Sequence, residues 1–194
     1  LDALTSADNN VALGYQAGTA LTTGGTNVLI GALVASAGTM TGANNVVIGY
    51  QSGKNISSGH DSVLVGENAG RNMNTGQNNV VVGKDAGSSM TGGGNATIVG
   101  YQAGQNNTAH ELVAIGSAAA NANTSGDGIV AIGREAYDAA DTENHNMAIG
   151  TNSLGGAVAG GEYNVAVGNY TLDALTSGDN NTAVGYSAGT AVTT

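Results

Sequence analysis

Histidine, acidic and tyrosine side chains are the residues of this chain that could bind a metal, carry a proton or stack on a sugar. The three histidines, His60, His110 and His145, lie in turn-forming segments far apart in the sequence. A metal site or a pH sensor needs such groups gathered at one place. An exposed turn residue is therefore the better interpretation of each histidine.

Calcium is the metal that the acidic turns could bind. Segments 8–10 and 179–181 both read Asp-Asn-Asn, and their oxygens are ligands of the kind that Ca²⁺ prefers. The nonapeptide of calcium-binding β-rolls is missing, and asparagine in a turn bonds its own backbone or stacks on the next repeat. We therefore predict no cofactor and no metal, with Ca²⁺ as the alternative.

Four tyrosines each follow a glycine that ends an apolar run: Tyr15, Tyr50, Tyr101 and Tyr186. Exposed aromatic rings can stack on a surface ligand such as a sugar. These four are not in adjacent repeats, and scattered surface aromatics are common. They are candidates for surface contact, and ordinary exposed residues are the alternative.

The composition excludes several classes of function. The chain has no Cys, so it has no disulfide, thiolate metal site or thiol nucleophile. The net charge of −10 opposes binding to nucleic acid or to an anionic membrane, and no apolar run is long enough to cross a bilayer. Because the sequence has no nucleophile elbow, phosphate loop or recurrent carboxylate pair, we expect no enzyme.

A short internal repeat positions all of these residues. Successive motif glycines are 16 to 18 residues apart, and the apolar run before each favours a strand whereas the Asn, Thr and Gly before the run favour a turn. A unit of this length is too short for helical repeats. The predicted fold is all-β, a parallel β-solenoid (β-roll) of about eleven coils that close at Gly14, Gly31, Gly49, Gly66, Gly83, Gly100, Gly116, Gly133, Gly150, Gly168 and Gly185.

A longer repeat is superimposed on the short one. Residues 1–23 and 172–194 are identical at 18 of 23 positions, at an offset of 171 residues. We therefore interpret residues 1–194 as one repeat-built segment, a slice of a longer fibre. The absence of proline agrees, because each coil needs its N–H groups to bond the next coil.

Alternation along each strand predicts which side chains share a face. The residue just before each glycine is predicted to form a structural core ladder: Leu13, Ile30, Ile48, Val65, Val82, Val99, Ile115, Ile132, Ile149, Val167 and Val184. The residue three before the glycine shares that face: Val11, Val28, Val46, Val63, Val80, Thr97, Val113, Val130, Met147, Val165 and Thr182.

The residue between these two positions is never polar. A strand that is apolar on both faces is buried on both, which predicts a second buried surface outside the coil. The larger members are therefore candidates for an interface between chains: Leu29, Val47, Leu64, Val81 and Ile98. In the last five repeats this residue is alanine, so we expect closer contact between chains toward the C-terminal end.

The motif resembles that of trimeric autotransporter adhesins, the YadA-like head type. NNVALG, NNVVIG, GIVAIG, YNVAVG and NNTAVG carry the resemblance, which covers essentially the whole chain. Similar repeats occur in phage tail fibres and in large bacterial surface proteins. The resemblance implies a left-handed parallel β-roll, a homotrimer around a common axis, and a head that binds host or environmental surfaces.

We expect a structural or adhesive fibre segment outside the cell, on a cell surface or on a virion. It would be a rigid rod that displays turns for attachment, and its partners would be other copies of itself and a surface ligand. The alternatives are a self-assembling extracellular filament subunit without a dedicated receptor, and a phage tail-fibre shaft.

Overall fold

The computed structural model describes residues 3, 5–156 and 158–194. Over these residues the chain is an all-β parallel solenoid of about ten turns, with no helix. Each strand has three residues: β1 (Val11–Leu13), β2 (Val28–Ile30), β3 (Val46–Ile48), β4 (Val63–Val65), β5 (Val80–Val82), β6 (Thr97–Val99), β7 (Val113–Ile115), β8 (Val130–Ile132), β9 (Met147–Ile149), β10 (Val165–Val167) and β11 (Thr182–Val184).

The strands form one parallel sheet in sequence order, β1 to β11. Equivalent residues of the repeat pair with each other, as Val46 pairs with Val63 and Ile48 with Val65. We number the coils by their strands and count positions within a coil from its motif glycine, so that −2 is two residues before the glycine. At the strand spacing of about 4.8 Å the sheet is about 50 Å long.

The motif glycine ends each strand because no other residue fits there. In coil 4, Gly66 has a φ of 138°, a conformation that residues with a side chain rarely adopt. A Cβ at this position would lie 2.5 Å from the carbonyl oxygen of Gly83 in the next coil. The stacking of coils thus requires both the backbone freedom and the small size of glycine.

The sequence prediction of which strand face is internal is wrong. The middle residue of each strand, position −2, faces the interior, and Leu29, Val47, Leu64, Val81 and Ile98 are all 0% exposed within the single chain. These five residues are therefore core residues and not an interface between chains. The alternation of faces is as predicted, but periodicity alone does not say which of two apolar faces is the inner one.

The predicted core ladder at position −1 lies on the outer face of the sheet. Its members are half-buried or exposed, as are the residues at position −3. The correction applies to Leu13, Ile30, Ile48, Val65, Val82, Val99, Ile115, Ile132, Ile149, Val167 and Val184.

The true core explains why position −2 changes from large residues to alanine along the chain. Position +4 faces it across the coil, as shown by Gly70, whose Cβ would lie 2.9 Å from a methyl group of Leu64. Where position −2 is large, position +4 is small. Where position −2 is alanine, as in coils 8 to 10, position +4 carries the buried side chains of Tyr137, Leu154 and Leu172. In these three coils the alanine is compensated inside the coil, whereas position +4 is Ala120 in coil 7 and Gly189 in coil 11. Because position −2 faces the interior, its change to alanine does not argue for closer contact between chains at that end.

A column of buried asparagines at position −4 joins successive coils. The Oδ1 of Asn27 accepts the backbone N–H of Asn45 at 2.9 Å, and its Nδ2 donates to the carbonyl oxygen of Gly42 at 3.0 Å. That carbonyl belongs to position −7 of the next coil. Each asparagine thereby satisfies two backbone groups that would otherwise be buried without a partner.

In coil 4 a serine replaces the asparagine, and the hydroxyl of Ser62 accepts the N–H of Asn79 at 3.2 Å. In coils 6 to 8 the column is interrupted by Ala96, Leu112 and Ile129. In each of these coils another side chain donates to the equivalent carbonyl. Asn107 donates to Ala109 (3.1 Å), Asn123 donates to Gly126 (3.2 Å), and the hydroxyl of Tyr137 donates to Glu143 (3.0 Å). In coil 7 the polar and the apolar position are exchanged. Position −4 is Leu112 instead of asparagine, and position +7, which is Met or another apolar residue in most coils, is Asn123.

Candidate functional surface

The outer face of the sheet carries a continuous apolar surface. We call the side chains at positions −3 and −1 of all eleven coils the outer strip. Only Thr97 and Thr182 among them are polar. In the middle of the rod, Val80 is 40% exposed and Ile115 is 37% exposed. An ordinary sheet face that contacts water carries polar residues at such positions.

The area of the outer strip lies within the range found for the largest apolar patch of a monomer. The strip is about 50 Å long and about 10 Å wide, or about 500 Å². The largest apolar patch on a typical monomer measures about 300–600 Å² and is often functional, and a stable interface buries about 800 Å² on each partner. The strip is smaller than that value. A second buried surface between chains stays a prediction, and the structure moves it to the outer strip.

Position +1, the residue after each motif glycine, flanks the strip along its whole length. The four tyrosines predicted for surface contact occupy this position. Tyr15, Tyr50, Tyr101 and Tyr186 are all exposed. They belong to coils 1, 3, 6 and 11, so the structure does not bring them together. The same column carries an ion pair between adjacent coils, with Lys84 Nζ 3.1 Å from a carboxylate oxygen of Glu67.

The three histidines remain apart and lie at the surface. His60 Nδ1 is 2.7 Å from a carboxylate oxygen of Asp61, and this hydrogen bond to His60 is the main reason that the pKa of Asp61 is lowered. His145 stacks on Tyr163 of the next coil, with ring centroids 5.2 Å apart. The two rings occupy the same repeat position in adjacent coils, so an alignment of the repeats could have found this pair.

The two Asp-Asn-Asn turns use their oxygens within the solenoid. Asn10 Oδ1 accepts the N–H of Asn27 at 2.8 Å, and Asp179 Oδ1 accepts the N–H of Glu162 at 2.8 Å. Among the described residues no group of three or more His, Asp or Glu side chains is arranged to hold a metal ion. The expectation of no cofactor stays a prediction.

Glu143 is a buried carboxylate that the sequence reasoning missed. Burial is the largest single influence and raises its pKa, but hydrogen bonds from the backbone N–H groups of Gly160, Thr142, Glu143 and Asp141 together outweigh it, so the pKa is lowered overall. Its partners are turn amides, at 2.9 Å from Gly160 N and 3.0 Å from Thr142 N. Burial also raises the pKa of the Tyr137 hydroxyl. Both side chains are occupied in closing one turn, which is a structural role.

Nothing in the described part of the chain forms a pocket, and no helix there is long and apolar enough to cross a membrane. The outer strip and the turns are the surfaces that the described residues present for contact. Comparison of the chain with protein-family models, curated proteins and solved structures finds no match.

Proposed function

We propose that this chain is a rigid segment of an extracellular fibre, in which the outer strip packs against the same strip of other copies. The continuous apolar outer strip on a rod without a pocket is the observation that carries this proposal. A side-by-side assembly removes the strip from water and leaves the turns on the outside, where they can contact a surface. The resemblance to adhesin heads supports three copies, a left-handed coil and a location on a cell or virion.

The lateral contact is tested by adding charge to the strip. Ile48→Asp, Val65→Asp and Val82→Asp together place three carboxylates on the outer face and leave the interior unchanged. The matched control adds the same charge at exposed turn residues, with Ser58→Asp, Thr75→Asp and Ser125→Asp. The mass of each protein in solution is measured by sedimentation equilibrium, and its fold by circular dichroism.

We expect the unmodified chain and the turn control to form one discrete oligomer, of three copies in the adhesin-like arrangement. The strip variant should be a folded monomer. An unmodified chain that stays monomeric at high concentration, or a strip variant that keeps the oligomer, would contradict the proposal.

A self-assembling filament is the second candidate, and the long-range repeat favours it. Residues 172–194 repeat residues 1–23 at 18 of 23 positions, as the subunits of a regular filament would. Electron micrographs separate the two candidates, because long filaments indicate self-assembly through the ends and short rods of uniform length indicate a fibre segment with lateral contacts only.

A further inference from the structure

A column of side chains on the side of the coil away from the outer strip changes its charge along the rod. Position +5 follows the position that faces −2 across the coil, so it lies opposite the outer strip. We call the side chains at position +5 of coils 3 to 10 the charged column. In chain order they are Lys54, Arg71, Ser88, Gln105, Asn121, Asp138, Gly155 and Asp173. Positive charge is thus concentrated in one part of the column and negative charge in another, with neutral polar residues between them.

The backbone stacks the residues of the charged column in register. Asn55 N–H donates to Arg71 O at 3.0 Å, and Ala122 N–H donates to Asp138 O at 3.1 Å, so successive members are about 4.8 Å apart. Lys54 and Arg71 are neighbours at this spacing, although the whole chain contains only four Lys and Arg residues. Because neighbouring like charges repel each other, the stacking of the coils does not explain why these two lie side by side.

The charges of the column have no counter-charge within the described part of the chain. The ion pairs found there join other groups: His60 with Asp61, Lys84 with Glu67, and Arg134 with Glu135. Three buried side-chain atoms of the described residues lack a hydrogen-bond partner, and two of them belong to the column: Arg71 Nε and Asp173 Oδ1, beside Asn152 Oδ1. Such atoms are uncommon in folded proteins. Burial is also the main reason that the pKa of Asp138 is raised, as expected for a carboxylate whose charge is poorly compensated.

The column is complementary to itself when a second copy lies antiparallel, with coil 6 against coil 6. Arg71 of coil 4 then faces Asp138 of coil 8. Lys54 of coil 3 faces Gly155 of coil 9, whose missing side chain leaves a gap between the carboxylates of Asp138 and Asp173. Because this arrangement has two-fold symmetry, each pairing occurs twice, and all four charged members of the column meet an opposite charge in both copies.

Parallel arrangements of two columns use the charges less well. A parallel copy in register places Lys54 against Lys54 and Asp138 against Asp138, which is repulsive. A parallel copy shifted by five coils brings Lys54 to Asp138, but only one part of each column takes part in the contact. The antiparallel register is therefore set by the charges themselves and does not depend on the first or last coil.

We propose that the charged column is a second contact surface, through which two copies of this chain pair side by side and antiparallel. The partner is a second copy, recognised by ion pairs of Lys54 and Arg71 with Asp138 and Asp173. The column lies opposite the outer strip, so it stays free when outer strips pack together and can join one such assembly to another. A single column is narrow and its ion pairs are near the surface, so the contact is weak and sensitive to salt, and several columns together strengthen it.

Charge reversal tests the pairing, and mixing of the variants gives the decisive result. Arg71→Glu alone places two acids opposite each other, and Asp138→Lys alone places two cations opposite each other, so each variant should lose the pairing. In an equal mixture, the glutamate of one variant faces the lysine of the other and Asp138 of the first faces Arg71 of the second. We expect the mixture to pair as the unmodified chain does. The mixture also has the same mean net charge as the unmodified chain, so a general change in repulsion does not account for the rescue.

Salt separates this contact from the packing of outer strips. The mass of each sample is measured by sedimentation at low ionic strength and again in 1 M salt, where the Debye length is only about 3 Å. Apolar contacts are not screened, so the mass in 1 M salt reports any assembly through the strip and the increase at low ionic strength reports the column. The control Ser58→Asp with Thr75→Asp lowers the net charge by the same two units as Arg71→Glu, but it changes exposed turn residues and should keep the pairing. Circular dichroism checks the fold of every variant.

Thiol cross-linking tests the orientation, because the chain has no native cysteine. Gln105 of coil 6 faces Gln105 of the second copy in the antiparallel register, so Gln105→Cys should be cross-linked between copies by a short bismaleimide. Ser36→Cys is the matched control in the same column, since coil 2 then faces coil 10 and the two thiols are about 38 Å apart. Equal cross-linking at both positions would indicate a parallel contact in register and would overturn the proposal. A mixture of Arg71→Glu and Asp138→Lys that does not regain the pairing, or an unmodified chain whose mass is the same at both salt concentrations, would also overturn it, whatever the outcome of the strip test.

Discussion

The motif glycine is the residue with the least freedom to change. Ten of its eleven copies have the carbonyl of the next motif glycine within 2.5 Å of the position that a Cβ would take. A positive φ adds strain for any other residue. The column of motif glycines is what allows coils to stack at strand spacing.

Replacement of one motif glycine should therefore destabilise the solenoid strongly. We expect Gly66→Ala to lower the free energy of unfolding by about 2–4 kcal/mol, because both the backbone strain and the clash with Gly83 O must be relieved. Gly92→Ala is the matched control, since its Cβ would meet only the hydroxyl of Thr75 at 3.5 Å. Chemical denaturation should show a lower midpoint for Gly66→Ala alone, and equal midpoints would contradict this account of the stacking.

Single residues also show what the sequence could not decide. The period, the turn residues and the exposed position of Tyr15, Tyr50 and Tyr101 could be predicted from the spacing and chemistry of the motif. The inner face could not, because Val46, Val47 and Ile48 are equally apolar and alternation defines two faces without ranking them. The pairing of Leu64 with Gly70, and of Ala148 with Leu154, was the signal in the sequence that identifies position −2 as internal.

At the scale of the coil, stability depends on a side chain that donates a hydrogen bond to the backbone carbonyl at position −7 of the next coil. Most coils use the asparagine at position −4, whereas coils 6 to 8 use Asn107, Asn123 and Tyr137. The strands are nearly identical from coil to coil, so they do not by themselves specify which coil stacks on which. The interior differs between coils in the side chain that supplies this donor.

An exchange of two residues in coil 7 tests this interpretation. Asn123→Leu removes the donor to Gly126 O and should cost about 1–3 kcal/mol. Leu112→Asn places an amide in an apolar position and should also destabilise. The double variant restores the arrangement found in coils 1 and 3, so it should be more stable than the sum of the single effects predicts. Thermal unfolding of the unmodified chain, the two single variants and the double variant gives the coupling energy between the two positions. Strictly additive effects would show that an asparagine at position 112 cannot replace Asn123 as the donor to Gly126 O.

At the scale of the whole molecule, the described part of the chain is a solenoid with one apolar side, the outer strip. We propose that other copies pack against this side. The sequence predicted that a second buried surface exists, because no strand position is reliably polar. It placed that surface at position −2, which the folded coil buries against position +4, because alternation alone does not rank two apolar faces.

Thiol labelling of two neighbouring residues tests the central claim most directly, because the chain contains no native cysteine. Val47→Cys places a thiol in the interior, and Ile48→Cys places one on the outer strip. We predict that Cys at position 47 is protected at every protein concentration, whereas Cys at position 48 is protected in concentrated solution and reacts quickly after dilution. A thiol at position 47 that becomes reactive on dilution while position 48 stays protected would contradict both the orientation of the strands and the lateral surface built on it.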